Sequence, residues 1–162
     1  MASAEGDHTY QYTGNEDHKG DRIALVVGKW HAEITQELYR GAIAILEANG
    51  VEFTLKQEVP GAYELPLAAK WLADSRRFDA IICLGVVVKG ETRHDEYINH
   101  AVARSLMKVS LKHKLPVIYG VLTTENLQQA YARAGGEAGH KGKECGVAAL
   151  EMIDLMRATK NL

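Results

Sequence analysis

Four short segments of the chain have the apolar or alternating composition of β-strands, and a segment with helical spacing follows each of them. The predicted strands are residues 22–28 (RIALVVG), 52–59 (EFTLKQEV), 78–88 (FDAIICLGVVV) and 116–122 (PVIYGVL). Apolar strands that alternate with helices are typical of a parallel sheet covered on both faces. The pattern therefore predicts an α/β fold, a three-layer α/β/α sandwich with a four-stranded parallel sheet.

Apolar residues that recur every three or four positions predict the helices between and after these strands. A short one covers residues 64–75, and the others contain Ile34, Leu38, Ala42 and Ile45; Val102, Leu106 and Val109; Leu127, Ala130, Tyr131 and Ala134; and Val147, Leu150, Ile153 and Met156. Thr124 can cap the helix at residues 125–135. The glycine-rich segment at residues 135–146 is expected to be an exposed link between the last two helices.

The first twenty residues differ from the rest of the chain. Residues 1–20 are polar and rich in Gly, Asp, Glu and His, which predicts an N-terminal arm, extended or partly disordered, before a single domain at residues 21–162. Tyr10 and Tyr12 are two positions apart, so both would face the same way in an extended segment, as in a strand laid along another sheet's edge. A tail without fixed structure is the alternative.

Charge and cysteine content argue against several classes of partner and site. The 162 residues have a formal net charge of −2 and no basic stripe, which argues against nucleic acid. Cys83 and Cys145 lie in apolar segments without metal-ligand spacing, so we expect buried, reduced thiols. No apolar run is long enough to cross a bilayer, and the N-terminus lacks the apolar core of a signal peptide. We expect a soluble, cytoplasmic protein without a membrane partner.

Most side chains that could do chemistry follow the predicted strands. The four strand exits read GKWH (residues 28–31), VPGAYE (59–64), KGETRHDE (89–96) and YGVLTTEN (119–126). Ligands of open α/β sheets bind beyond the carboxyl ends of the strands. At the first two exits, Trp30 could stack on a heterocycle and Glu64 could accept hydrogen bonds from it. Alternatively, Trp30 caps the core and Glu64 stabilises a helix start.

The third exit has the features of a phosphate site. Gly90, Thr92 and His94 lead into a helix N-terminus, where free N–H groups and the helix dipole favour a bound anion. Neighbouring carboxylates would repel that anion, so cations from elsewhere are needed. The candidates are Arg93, Arg133 and Lys141.

His94 is the candidate for proton transfer, because an imidazole changes charge near neutral pH. A histidine in a first helical turn is also common on solvated surfaces. Adjacent residues of a helix point apart, so the triplet at residues 94–96 (HDE) is not expected to bind a metal.

Three segments resemble the 6,7-dimethyl-8-ribityllumazine synthase family. They are residues 59–66 (VPGAYELP), the GxTxH pattern in residues 89–97 (KGETRHDEY) and residues 116–142 (PVIYGVLTTENLQQAYARAGGEAGHKG), within a resemblance that covers residues 22–157 in one register. The resemblance implies a flavodoxin-like fold and a transferase of riboflavin biosynthesis that needs no cofactor. Its reaction would join 5-amino-6-(D-ribitylamino)pyrimidine-2,4-dione to 3,4-dihydroxy-2-butanone 4-phosphate.

The resemblance also implies roles for residues at matching positions. His94 would transfer protons. The pyrimidinedione would be bound by Trp30, Ala62, Tyr63, Glu64, Val86, Val87, Val88 and Tyr119, and the phosphate by Glu91, Thr92, Arg133 and Lys141.

The chain departs from the family pattern at several of these positions. Many members read GATTH where this chain has GETRH, so Glu91 and Arg93 replace smaller side chains near the phosphate. His31 and His140 stand where asparagine is frequent, and Tyr119 where phenylalanine is frequent. These differences favour tuning of the pocket. They also leave an alternative, a shell protein that binds flavin or lumazine with weakened catalysis.

The resemblance implies a homo-oligomer as well. Members of the family form pentamers with active sites between subunits, and some build icosahedral shells of sixty subunits. By analogy, Tyr119 and Arg133 would face Trp30 and His94 of an adjacent chain, and residues 9–12 (TYQY) of the N-terminal arm would add a strand to a neighbouring subunit's sheet. The short loop at residues 135–142 permits a shell, and riboflavin synthase is an expected partner.

Two rival classes share the predicted fold pattern. A flavodoxin-type binding module should have a Ser/Thr-rich loop after its first strand, where this chain reads GKWHAE. A phosphoacceptor signalling domain needs an aspartate at the end of its third strand, where Val88 and Lys89 stand.

Overall fold

A computed structural model describes residues 10–162 of the chain. The strands are β1 (Arg22–Gly28), β2 (Phe53–Val59), β3 (Ala80–Val88), β4 (Val117–Thr124), β5 (Ala134–Gly136) and β6 (Gly139–His140). The helices are α1 (Ala32–Ala48), α2 (Leu65–Asp74), α3 (His94–His113), α4 (Leu127–Arg133) and α5 (Lys141–Lys160), with one 3₁₀ turn at Ala62–Glu64 before α2.

The four long strands form one parallel sheet in the order β2-β1-β3-β4. Alternate residues of the central strands enter two separate apolar cores. Leu25 and Ile82 pack with α1 and α5, whereas Val26 and Ile81 pack with α2 and α3. The predicted three-layer α/β/α sandwich is confirmed. Among the described helices, none combines the length and hydropathy of a bilayer span.

The helix after β4 has a different cap from the predicted one. Thr124 is the last residue of β4, and Asn126 is the N-cap of α4. The Asn126 side chain accepts a hydrogen bond of 2.9 Å from the N–H of Gln129, and the Thr124 hydroxyl donates to the Asn126 carbonyl. The prediction of Thr124 as cap was therefore wrong by two residues.

We expect Asn126→Ala to lower the free energy of unfolding by about 1 kcal/mol, the usual cost of an N-cap side chain. Urea denaturation at fixed protein concentration measures it. Thr124→Ala serves as the matched control and should cost less, because it removes no bond to a helical N–H. The reverse ranking would contradict the assignment of the cap.

The glycine-rich segment is not the exposed link that was predicted. Residues 134–140 form the β5–β6 hairpin, and α5 already begins at Lys141. Gly142 and Gly146 are buried inside α5, where a Cβ on Gly142 would lie only 1.9 Å from the Leu38 carbonyl oxygen of α1. These glycines let the backbones of α1 and α5 approach closely, so they serve helix packing rather than a turn.

Residues 10–21 form no strand, and Tyr12, Asp17 and Asp21 contact α5 of the same chain. Tyr12 is buried and donates a hydrogen bond to Asp154, and burial, reinforced by that carboxylate, raises the pKa of Tyr12 to about 12. His18 is also buried, with Nδ1 2.7 Å from Asp21 Oδ2 and Nε2 3.5 Å from Asp154 Oδ1. Strand addition to a neighbouring subunit stays a prediction, and the predicted arm's residues 1–9 lie outside the described part.

Candidate active site

The exits of β1 and β2 meet beneath an exposed indole ring. The N–H of Lys29 donates a 2.9 Å hydrogen bond to the Val59 carbonyl, which holds the two exits side by side. A Cβ on Gly61 would lie 2.8 Å from Cδ1 of Trp30, so the ring covers the glycine backbone. Trp30 is nevertheless 70% exposed. A ring in this position has a free face for a planar ligand.

Glu64 has a structural role at this point. Its Oε2 accepts a 2.9 Å hydrogen bond from the N–H of Gly61 and closes the 3₁₀ turn. Ala62 in the same turn is buried against Gly85 of β3, while the Tyr63 side chain is exposed. Helix-start stabilisation, the structural interpretation of Glu64, is therefore observed. Its other carboxylate oxygen has no hydrogen bond within residues 10–162.

The exit of β3 lies next to this turn. The side chains of Val86 and Val87 are buried on opposite faces of the sheet, so at this exit the strand presents mainly backbone around Val88. Lys89 donates its N–H to the Thr124 carbonyl and pairs with Glu125 at 3.0 Å. The hydrogen bond and charge of Glu125 raise the pKa of Lys89, so the Lys89 ammonium is paired with Glu125 beside the exit.

The predicted phosphate loop leads directly into α3. Glu91, Thr92, Arg93 and His94 are all exposed, and α3 begins at His94 with the carboxylates of Asp95 and Glu96 in its first turn. Within residues 10–162, none of the four exposed side chains has a hydrogen bond or an ion pair. The first N–H groups of an α-helix lack intrahelical acceptors. The loop before α3 and the first turn of α3 therefore present unpaired backbone donors and one imidazole to solvent.

Arg133 and Lys141 form a second cluster, at the junction of the β5–β6 hairpin and α5. Arg133 donates to the Ala138 carbonyl at 2.7 Å and pairs with Glu144 at 2.8 Å, and Lys141 pairs with the same carboxylate at 3.1 Å. Burial would raise the pKa of Glu144, but Lys141 and Arg133 outweigh burial and lower it. Two cations sharing one carboxylate leave one positive charge for an anion.

Tyr119 was assigned to a strand exit, and the structure places it inside β4 instead. β4 continues to Thr124, and Tyr119 lies opposite Cys83, five residues before Val88. At 3.3 Å per residue, that is about 16 Å along the sheet from the exit of β3. Partial burial raises the pKa of its hydroxyl. In a single chain, Tyr119 therefore does not join Trp30 and His94.

The His140 ring occupies the space that a side chain at Gly41 would fill. A Cβ on Gly41 would lie 2.1 Å from the His140 ring, and the backbone N–H of His140 donates to the Tyr10 hydroxyl. Burial and the charge of Lys143 lower the pKa of His140, against the opposing effect of Glu37. His140 thus anchors the hairpin that precedes Lys141. His31, the other departure, has a left-handed φ of 55° at the start of α1.

Two further features of the described chain are the grouping of potential metal ligands and the state of the two cysteines, Cys83 and Cys145. Within residues 10–162, no three His, Cys, Asp or Glu side chains are grouped so as to hold a metal ion. Cys83 and Cys145 are free and buried, as predicted.

Comparison with known proteins decides the family. The family model described as 6,7-dimethyl-8-ribityllumazine synthase matches residues 20–157. The chain belongs to this family. A Cytophaga hutchinsonii protein named 6,7-dimethyl-8-ribityllumazine synthase is 44% identical over 156 residues, which cover 94% of this chain and 98% of that protein. The resemblance read from the three motifs is confirmed.

For this lumazine synthase family member, the described chain divides the expected site residues into two groups. Trp30, Ala62 to Glu64 and Glu91 to His94 lie at the exits of β1, β2 and β3, whereas Tyr119, Arg133 and Lys141 lie at the β4 edge and the α4–α5 corner. Glu144 was missed in the sequence. It lies three residues after Lys141, which is one helical turn, but the segment was read as a loop and that spacing carried no signal.

Proposed function

We propose that the protein condenses 5-amino-6-(D-ribitylamino)pyrimidine-2,4-dione with 3,4-dihydroxy-2-butanone 4-phosphate to 6,7-dimethyl-8-ribityllumazine, phosphate and two waters. Residues 21–162 act as one catalytic domain. The observation that supports this most is the exposed Trp30 ring beside the Glu64 carboxylate. Both lie at the carboxyl ends of the strands, where α3 also begins. Membership of the family favours this enzyme over a shell protein with weakened catalysis.

The pyrimidinedione stacks on the free face of Trp30 and lies over Ala62 to Glu64. Its N–H groups donate to the unpaired carboxylate oxygen of Glu64 and to backbone carbonyls at the end of β3, because Val86 and Val87 bury their side chains. A ring held in this way presents its amino group to the second substrate. Such positioning is worth effective molarities of roughly 10⁵ M or more.

The phosphate of the four-carbon substrate binds at the N-terminus of α3. Thr92 and the first N–H groups of the helix donate to the phosphate. Because these donors suffice, the Glu91 carboxylate points to solvent and Glu91 takes part only through its backbone. Phosphate at a helix N-terminus is favoured by the free donors and by the dipole. Arg133 and Lys141, which together keep one positive charge beyond Glu144, supply part of the charge that offsets Glu91, Asp95 and Glu96.

His94 moves protons during the reaction. The amine attacks the ketone to form an imine with loss of water, phosphate then leaves, and ring closure releases the second water. The exposed imidazole of His94 accepts and returns protons in these steps beside the departing phosphate. General acid–base catalysis contributes roughly 10²- to 10⁴-fold. Positioning therefore outweighs proton transfer in this site.

Mixing the two substrates and following the fluorescence of the lumazine product tests the proposal directly. Product formation that depends on both substrates and on the protein would support the enzyme. A folded, oligomeric protein that binds lumazine but forms none would favour the shell-protein alternative.

For His94→Ala we expect kcat to fall about 10²-fold, with measurable activity left, because positioning by the other residues remains. Steady-state kinetics with both substrates measure this effect. His100→Ala, at an exposed position further along α3, is the matched control and should keep kcat within twofold. A folded His94→Ala protein with no activity would show that proton transfer dominates instead.

The complete site forms between two copies of the chain in a homo-oligomer, which we take to be a pentamer. The separation of Tyr119 from the strand exits of its own chain supports this arrangement, since a neighbouring chain can bring a second copy of Tyr119 to Trp30 and His94. Four apolar side chains on α2 and α3 are also more than half exposed: Leu67, Trp71, Met107 and Leu111. The two residues of each helix are four positions apart and share a helix face. Exposed apolar side chains grouped in this way are typical of protein interfaces.

Electron microscopy distinguishes a pentamer from an icosahedral shell of sixty subunits, and a monomer at micromolar concentration would contradict the shared site. In the assembly, the N-terminal arm adds to a neighbouring subunit's sheet. We also propose riboflavin synthase as a partner, because the lumazine product is the substrate of the next step of riboflavin biosynthesis. The proposed location is the cytoplasm.

A further inference from the structure

A cavity of about 340 Å³ lies at the opposite edge of the sheet from the candidate active site. The ends of α2, α3 and α5 and the segments that lead into β3 and β4 surround it, so it faces the amino ends of the strands. We call it the amino-edge pocket. Its charged lining consists of Arg76, Lys112, Lys114, Lys160 and Asp79, together with His113.

Positive charge is concentrated in this pocket. Four cationic side chains face one carboxylate, which is an excess of three positive charges on a chain whose net charge is −2. Within residues 10–162 none of the four cations has an ion pair or a side-chain hydrogen bond, whereas Asp79 already accepts the Arg22 N–H at 2.8 Å. His113 is engaged with Asp74, at 3.4 Å. A cleft lined by one sign of charge attracts ligands of the opposite sign.

Basic residues often serve only to stabilise helix C-termini, and three helices end here. Several of the terminal carbonyls already have other donors: Ser110 accepts from the N–H groups of Lys114 and Leu115, and Ala73 accepts from that of Arg76. The helix dipoles add roughly half a negative charge each. They therefore offset only about half of the three excess charges, and the pocket stays positive.

The remaining walls are apolar. Phe78, Leu115 and Met156 line the cavity and are only half-buried, so they have surface to offer a ligand. An aromatic ring and a thioether are good partners for a flat heterocycle. The volume lies at the lower end of the range for small-molecule sites.

We propose that the amino-edge pocket binds a small phosphorylated compound that also carries a flat ring, of the nucleoside phosphate class. The cations hold the phosphates, and the apolar wall holds the ring. The site is separate from the catalytic one, because none of its lining residues belongs to the strand exits or to the Arg133 cluster.

Isothermal titration of the assembled protein with ADP, pyrophosphate and adenosine tests the proposal. We expect ADP to bind more tightly than pyrophosphate, and adenosine most weakly. Lys112→Gln/Lys114→Gln should weaken ADP binding roughly tenfold, because two charges near a polyanion are removed. Lys19→Gln/Arg40→Gln is the matched control; it removes two exposed cations that do not line the pocket and should change binding less than twofold.

Three results would overturn the proposal: no ADP binding at millimolar concentration, equal binding of pyrophosphate and ADP, or equal effects of the two double substitutions. Loss of ADP binding in Arg133→Ala would also overturn it by placing the ligand in the catalytic site. Lumazine formation by Lys112→Gln/Lys114→Gln should equal that of the unmodified protein, so failure of this inference leaves the proposed function untouched.

Discussion

Gly142→Ala should destabilise the folded chain by about 3 kcal/mol or more, the upper range for overpacking a core. The added Cβ would lie 1.9 Å from the Leu38 carbonyl oxygen, 2.7 Å from its carbonyl carbon and 2.8 Å from its Cα. These are backbone atoms of α1, so no side-chain rotation relieves the clash. Alanine gains only about 1 kcal/mol in helix propensity over glycine, and the clash therefore decides the sign. Urea denaturation at matched protein concentration measures the loss.

Gly20→Ala is the control for this substitution, because a Cβ there would have no neighbour within 4 Å. It should change the free energy of unfolding by less than about 0.5 kcal/mol, as surface substitutions usually do. If Gly142→Ala unfolds at the same urea concentration as the unmodified protein, α1 and α5 do not pack as closely as described.

Arg133→Ala should lower kcat/KM for the phosphorylated substrate by roughly 10- to 100-fold, chiefly through KM, because it removes a charge-assisted contact made in ground and transition states alike. KM for the pyrimidinedione should change little. Steady-state kinetics with each substrate varied in turn separate the two effects. Arg133 also holds the Ala138 carbonyl and Glu144, so thermal denaturation should accompany the assay.

Two further variants make the Arg133 prediction specific. Arg133→Lys keeps the charge but loses the fork that reaches Ala138 and Glu144 together, and we expect partial recovery of KM. Arg104→Ala, which removes an exposed arginine from α3, should leave both KM values unchanged. Equal losses for the two substrates in Arg133→Ala would show that the residue supports the fold of the corner instead of binding phosphate.

The errors of the sequence analysis share one cause. Thr124 and Asn126 are both good caps in isolation, and pairing of β4 with β3 as far as Thr124 decided between them. Glycines usually mark turns, but at Gly142 and Gly146 the close approach of α1 decided the conformation. Local preference was in each case overridden by a partner distant in the chain.

The alternation of strands and helices, the apolar core positions, the exits of the first three strands and the family could all be read from the order of the amino acids. These follow from periodicity and from motifs that are contiguous along the chain. Four features are visible only in the folded chain: Trp30 covers Gly61, Glu144 joins Arg133 and Lys141, Tyr119 lies away from the exits, and cations from three helix ends meet in one pocket. Such contacts depend on strand order and helix packing, which bring together residues that no short-range pattern relates.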